Sequence, residues 1–235
     1  MDLRTAMRTT PATRVFTSDP VPDNVVYEIL DDARFAPNGG NRQAWHVIVV
    51  RDAATKRRIA ELYELGTREY AAHAEAGLVP FVASEALERQ RFGEPYHAAV
   101  DLDAARQVPS ANGVPEYMAN APVLLVLTID LSAIPAVDTG LERLSIAGGA
   151  SIYPFAHNIL LAARARGYGG HITTLLARQE PELRSLLHIP PEQALATMLP
   201  IGRPEKEITR LRRLPVEAFV TKERADGPAL EAPKP

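Results

Sequence analysis

The sequence predicts one α+β domain over residues 1–220, and three observations carry that prediction. Apolar residues recur at helical spacing in some segments, as Val25, Val26, Ile29, Leu30 and Ala33 do. Elsewhere they form short runs of strand length, Val47-Ile48-Val49-Val50 and Val123-Leu124-Leu125-Val126-Leu127. The two kinds of segment are interspersed, with no internal repeat and no linker that would separate two units.

Taken in order, residues 22–35 read as a helix opened by Pro22-Asp23. The stretch Pro37-Asn38-Gly39-Gly40-Asn41 then delivers the chain into the strand at 47–50. Asp52 is placed to cap a second helix through about Gly66, with Ile59, Leu62 and Tyr63 inward. Residues 67–121 mix a charged, helix-prone piece (Ser84 to Arg91) with Pro95, Pro109, Asn112-Gly113 and Pro115. A long irregular insertion of this kind reads as a lid or binding region. The run at 123–127 is a second strand, ended by Asp130. Leu141 to Arg166 is helical in pattern and nearly apolar all round, which places it at the centre or in an interface. Ala147-Gly148-Gly149-Ala150-Ser151 strips that helix of bulk, Pro154 is expected to kink it, and Gly167 to stop it. A third strand follows at 168–173, a helix at 181–187 and a fourth strand at 195–201, ending at Gly202. Val216 to Val220 is a short apolar piece. The polar, proline-rich tail, 221–235, is expected to be disordered.

Composition narrows the function. Apolar residues make up 46 % and charged residues 23 %, with a net charge of −3, so nothing suggests a nucleic-acid footprint. With no cysteine, disulfides, thiolate catalysis and thiolate-held metals are excluded. The N-terminus lacks the apolar core of a signal peptide, and no apolar run approaches the roughly 18–20 residues of a membrane span. The expected compartment is the cytoplasm. The six histidines show no HExxH or other ligand spacing, so no metal is expected. There is no GxSxG elbow and no phosphate loop. Gly167-Tyr168-Gly169-Gly170 follows a helix and opens a strand, the reverse of a dinucleotide-binding turn.

Three segments remain. Arg8 and Arg14, interleaved with Thr9, Thr10 and Thr13, form either a phosphate site or a solvated N-terminal helix. Arg210, Arg212 and Arg213 are open to the same two readings. The loop at 37–43 offers the carboxamides of Asn38, Asn41 and Gln43 beside glycines that let a planar ligand approach the backbone; a plain helix-to-strand connection is the alternative.

RTTPATRVF, PNGGNRQAW before a strand, GGASIYPFAHNILLAARARGYG, ITTLLARQEPELRSLLHIP, and LPIGRP with RRLPVEAF occur in an order that resembles the FMN-dependent nitroreductase family. The likeness covers about 3–66 and 120–220. It implies a mostly antiparallel central sheet flanked by helices, and a long central helix at the interface of a homodimer, with the flavin at that interface. Arg14 matches the family's cation near the flavin pyrimidine or ribityl phosphate. The family's phosphate-binding Arg-Arg-Ser triplet falls on Thr10-Pro11-Ala12, so Arg8, Thr9 and Thr10 are the candidates to replace it. Pro37, Asn38, Gly39, Asn41 and Gln43 match the loop that touches the isoalloxazine across the interface, with Asn38 and Ala44 standing where the family has Ser and Pro. Thr173, Thr174 and Leu175 match the segment whose backbone N–H points at flavin N5, and Arg213 the late arginine that closes on the phosphate. No side chain is assigned as acid or base.

The activity implied is ping-pong hydride transfer from NADH or NADPH through flavin N5 to a planar small-molecule acceptor such as a quinone or nitroaromatic. Reductive dehalogenation, flavin breakdown, metabolite tailoring, or flavin binding without turnover are the alternatives on the same fold.

Overall fold

In the computed structural model, which describes residues 1–81, 100–108 and 114–233, the apolar runs form neighbouring strands of an antiparallel sheet. Strands β1 (Trp45–Val50), β2 (Val123–Asp130), β3 (Gly169–Gly170) and β4 (Gln193–Gly202) lie in the order β1-β2-β4-β3, each antiparallel to its neighbour. The described helices are α1 (Leu3–Thr9), α2 (Asp23–Ala33), α3 (Ala53–Glu75), α4 (Leu102–Gln107), α5 (Val114–Ala119), α6 (Tyr153–Ala165) and α7 (Glu180–Leu187).

The central strand β2 explains its own sequence. Successive side chains on a strand point to opposite faces. Val123, Leu125, Leu127 and Ile129 enter one core, with α2 and α6; Leu124 and Val126 enter another, with α3, α5 and α7. Both faces are covered, so a continuous apolar run replaces polar alternation. Each of these buried side chains contributes roughly 1.5–3 kcal/mol. Asp52 caps α3 as expected, its carboxylate accepting from Thr55 N at 2.7 Å and Thr55 Oγ1 at 2.8 Å.

Several expectations need correction. The helix after Asp52 does not stop at Gly66 but runs to Glu75. Gly66 is buried inside it because a Cβ there would lie 3.0 Å from both Leu175 Cγ and the Leu175 carbonyl oxygen. The glycine marks a close approach, not an end. The segment 141–166 is not one helix either: a 3-10 turn at Ala147–Ser151 precedes α6, which has only 13 residues. Pro154 sits in the first turn of α6, where its missing N–H has no partner to lose, and so it introduces no kink. Before that turn, Asp138 accepts from Ser145 Oγ at 2.6 Å, Ile146 N at 2.8 Å and Arg143 Nη1 at 2.7 Å, which holds the chain as a loop.

Gly167 does stop the helix, at φ 78°, with Tyr168 N donating to Ala163 O at 2.9 Å. The third strand is shorter than expected; beyond β3 only Thr173 returns to the sheet, as a bridge to Met198. The insertion 67–121 contains the end of α3 together with α4 and α5. Ser84 to Arg91, Pro95, Pro109 and Asn112-Gly113 lie outside the described residues. In the tail, Lys222 N donates to Pro228 O at 2.9 Å and Leu230 N to Val220 O at 3.1 Å, around a bridge between Thr221 and Ala229. Among the described residues no helix is long and apolar enough to cross a membrane, and no group of side chains could hold a metal ion.

Candidate functional site

A cavity of about 660 Å³ opens on the side of the molecule that carries α3 and α5. Four pieces of chain build it. Arg14 comes from the N-terminal arm, which lies beside β3 through Thr13 N donating to Gly170 O at 2.9 Å. The arm can approach this closely because a Cβ on Gly169 would sit 2.6 Å from Thr13 Oγ1. Tyr63, Thr67 and Tyr70 come from one face of α3, at spacings of four and three residues. Tyr117 comes from α5. Thr173, Thr174, Leu175 and Arg178 come from the stretch after β3 and the 3-10 turn Leu175–Gln179. Phe81 adds a further aromatic wall.

A buried relay joins three of these pieces. His171, 3 % exposed, has Nδ1 2.9 Å from Thr13 O and Nε2 2.7 Å from Tyr117 Oη. A carbonyl can only accept, so Nδ1 carries the proton, and in the neutral ring Nε2 accepts from Tyr117. Burial, aided by the neighbouring Arg14 charge, pushes the His171 pKa down to about 4 against the Thr13 hydrogen bond, so the ring is neutral at pH 7. Burial likewise raises the Tyr117 pKa, reinforced by Tyr63, so that hydroxyl keeps its proton. Tyr63 Oη in turn accepts from Thr173 Oγ1 at 3.1 Å. The result is a proton-bearing, uncharged wall next to a guanidinium.

The N–H groups of Thr174 and Leu175 stand where the turn begins, a place at which helix geometry leaves donors without an internal acceptor. Arg14, Thr174, Leu175 and the tyrosines line one space, and no carboxylate is among its described lining residues. Such a set favours a flat ring system bearing negative charge or acceptor atoms along its edge.

Of the residues singled out by sequence, Arg14, Thr173, Thr174 and Leu175 meet at this cavity. The others lie elsewhere in this chain. Arg8 is exposed on α1, and Thr10 Oγ1 donates back to Ala6 O at 2.7 Å. Arg213 is exposed and donates to the Arg212 carbonyl at 2.7 Å. The loop at Pro37, Asn38, Gly39, Asn41 and Gln43 packs against the segment before α6: Gly39 N donates to Ser151 Oγ at 3.2 Å, and a Cβ on Gly39 would meet Pro135 at 2.6 Å. Asn38 braces the loop, accepting from Gln43 N at 2.9 Å. Gly40, Asn41 and Gln43 all have positive φ (63°, 53° and 50°), a left-handed conformation that costs a glutamine most.

Tyr117, His171 and Arg178 went unread in the sequence. Their partners lie far along the chain: 54 residues separate Tyr117 from His171, and 158 separate His171 from Thr13. The face Tyr63, Thr67, Tyr70 is the one local signal, and it forms only because the helix continues past Gly66.

Fold and cavity together define an α+β protein with a cavity lined by a cation and aromatic rings. A model of the nitroreductase family matches residues 7–203, and the chain belongs to that family. It is 28 % identical over 203 residues to iodotyrosine deiodinase of Danio rerio, covering 86 % of this chain and 60 % of that protein. It is also 28 % identical to an NADH dehydrogenase of Thermus thermophilus, over 94 % of this chain and 95 % of that protein. Among solved structures, oxidised iodotyrosine deiodinase bound to FMN and 3-iodo-L-tyrosine superposes with a TM-score of 0.63 at 23 % identity, covering 95 % of this chain and 100 % of that one. The chain thus spans about 60 % of the length of the deiodinase relative it matches in sequence.

Proposed function

We propose that the protein is an FMN-dependent oxidoreductase that takes hydride from NADH or NADPH and passes it to a planar acceptor such as a quinone or nitroaromatic, in two alternating half-reactions. One observation carries this reading: Arg14, Thr174 and Leu175 line a single cavity walled by tyrosines and bare of described carboxylates. FMN, when bound, supplies at its N5 the atom that accepts and releases hydride. Arg14 supplies the positive charge that favours the reduced, anionic ring. The N–H groups at 174–175 orient the ring edge. Tyr117 and neutral His171 hold the arm that carries Arg14, and they add no charge of their own. Hydride transfer needs no side-chain acid or base, so the protein's work is stacking, orientation and exclusion of water.

The loop at 37–43 is remote from its own cavity, and the reading assigns it to the cavity of a second copy. An apolar face supports such a pairing: Ile146 is 74 % exposed and Tyr153 42 % exposed, on either side of the bare Gly148-Gly149 patch. Arg8, Thr10 and Arg213 are assigned to the cofactor phosphate, the exposed Arg8 and Arg213 being free to turn toward an anion.

The test is direct. Purified protein is expected to carry a yellow chromophore that heat releases and chromatography identifies as FMN. Anaerobic NADH or NADPH is expected to bleach it. A colourless protein that fails to take up added FMN overturns the proposal, and bound flavin that stays oxidised points to binding without turnover. The deiodinase relatives favour a second reading at the same site, reductive dehalogenation. In that reaction the carbon–iodine bond breaks, iodide leaving with its electron pair, while two electrons from the reductant and one proton make the carbon–hydrogen bond. Iodide release from 3-iodotyrosine by the reduced protein distinguishes the two.

A further inference from the structure

Helix α6 carries a charged side chain into the interior: Arg164 is 5 % exposed. Its guanidinium reaches two segments from opposite ends of the chain. Nε donates to Thr9 Oγ1 at 3.4 Å, and Nη1 donates to Glu207 Oε1 at 3.2 Å. Thr9 Oγ1 is free to accept because its own proton goes to Thr5 O, at 2.8 Å. Thr9 is the last residue of α1 and stands between Arg8 and Thr10. Glu207 lies on the stretch that leads from β4 to the exposed Arg213. The crevice in which these segments meet is lined by Thr10, Thr13, Arg164, Lys206 and Glu207. It holds about 10 Å³, the space of about one water, which is too little for a ligand group. Arg164 therefore joins protein to protein here.

Few other ties compete with it. Helix α1 buries only Ala6. The stretch after β4 is fastened to the N-terminal arm as far as Glu205, with Thr17 N donating to Arg203 O at 2.9 Å and Glu205 N to Val15 O at 3.3 Å. Beyond that point, among the described residues, no backbone group of 206–213 bonds to another element, and Glu207 is the anchor. Glu207 is 66 % exposed, but its partner is not, so breaking the pair leaves a charge uncompensated inside the protein.

We propose that Arg164 is a positioning residue for the cofactor phosphate: by holding Thr9 and Glu207 together it sets the end of α1 and the stretch after β4 so that Arg8, Thr10 and Arg213 close on one phosphate. The inference rests on the flavin reading above, which assigns those three residues to the phosphate. Arg164 itself makes no bond to the ligand.

Fluorescence titration with FMN and with riboflavin, which has the same ring and side chain but no phosphate, separates this role from a general loss of structure. The wild type is expected to bind FMN tighter than riboflavin. Arg164→Gln is expected to weaken FMN binding about 10-fold and to leave riboflavin binding unchanged. Arg164→Lys, which keeps the charge, is expected to recover part of the loss. Glu207→Ala, at an exposed position, is expected to match Arg164→Gln, and it carries the test if Arg164→Gln does not fold. An equal loss for both flavins overturns the proposal, because it reports a disturbed fold and not a misplaced phosphate site. Unchanged FMN affinity in the variants overturns it as well. If the wild type binds the two flavins equally, the ring site stands and the phosphate role of Arg164 falls. If it takes up neither flavin, the flavin reading fails and this proposal fails with it.

Discussion

Arg14 has its place because Thr13, one residue earlier, is gripped from two sides: its N–H by Gly170 and its carbonyl by His171. At this scale the chemistry of single groups sets the expectations. Arg14→Ala removes a charged donor and is expected to weaken FMN binding by about 1.5–3 kcal/mol, measured by fluorescence titration of the flavin. Tyr117→Phe leaves His171 Nε2 buried without its donor, and is expected to cost about 1–3 kcal/mol of stability in urea unfolding. Arg14, Thr173, Thr174 and Leu175 were legible in the sequence because each belongs to a short stretch matched in order to a known pattern. Glu69 was not: it reads as one more helix-surface acid, and only folding brings Arg178 to it from 109 residues away.

At the scale of elements, the 3-10 turn Leu175–Gln179 lies against α3, and Gly66 sets how close it comes. In a free helix, Gly→Ala stabilises by about 1 kcal/mol. Here the added Cβ meets a backbone oxygen at 3.0 Å, so the sign reverses. Gly66→Ala is expected to lower stability by about 1–3 kcal/mol and to weaken FMN binding as well, since the displaced turn carries Leu175. Equilibrium unfolding and flavin titration on one variant check both parts. Pro154 gives the opposite lesson. Proline inside a helical pattern reads as a kink, but a helix that starts at Tyr153 accommodates it, and Pro154→Ala is expected to change stability by less than about 0.5 kcal/mol.

For the whole molecule, pH is the informative variable. His171 is neutral when folded, with a pKa pushed down to about 4, against 6.5 for an unperturbed histidine. Between these values the unfolded chain binds a proton that the folded one refuses, so stability falls as pH drops from about 6.5 to about 4, and this contribution is unchanged outside the window. The loss is about 3 kcal/mol for a gap of this size. Urea unfolding across that range is expected to show the slope in the wild type and to lack this part of it in His171→Gln. The exposed face at Ile146 and Tyr153 belongs to the same scale: on the proposed pairing of two copies, Ile146→Glu is expected to shift sedimentation toward a monomer and to reduce FMN retention. By itself the sequence determined the α+β class, both long strands, the caps at Asp52 and Gly167, and the family pattern that located Arg14 and Thr173–Leu175. Those features follow from local preference and period, or from motifs read along the chain. Only the tertiary structure decided that Gly66 lies inside a helix, that 141–166 divides before Tyr153, and that Tyr117 and Arg178 line the cavity with buried His171 and Glu69 behind them. Each of these depends on packing or hydrogen bonds between segments distant in the chain, and no local pattern records such partners.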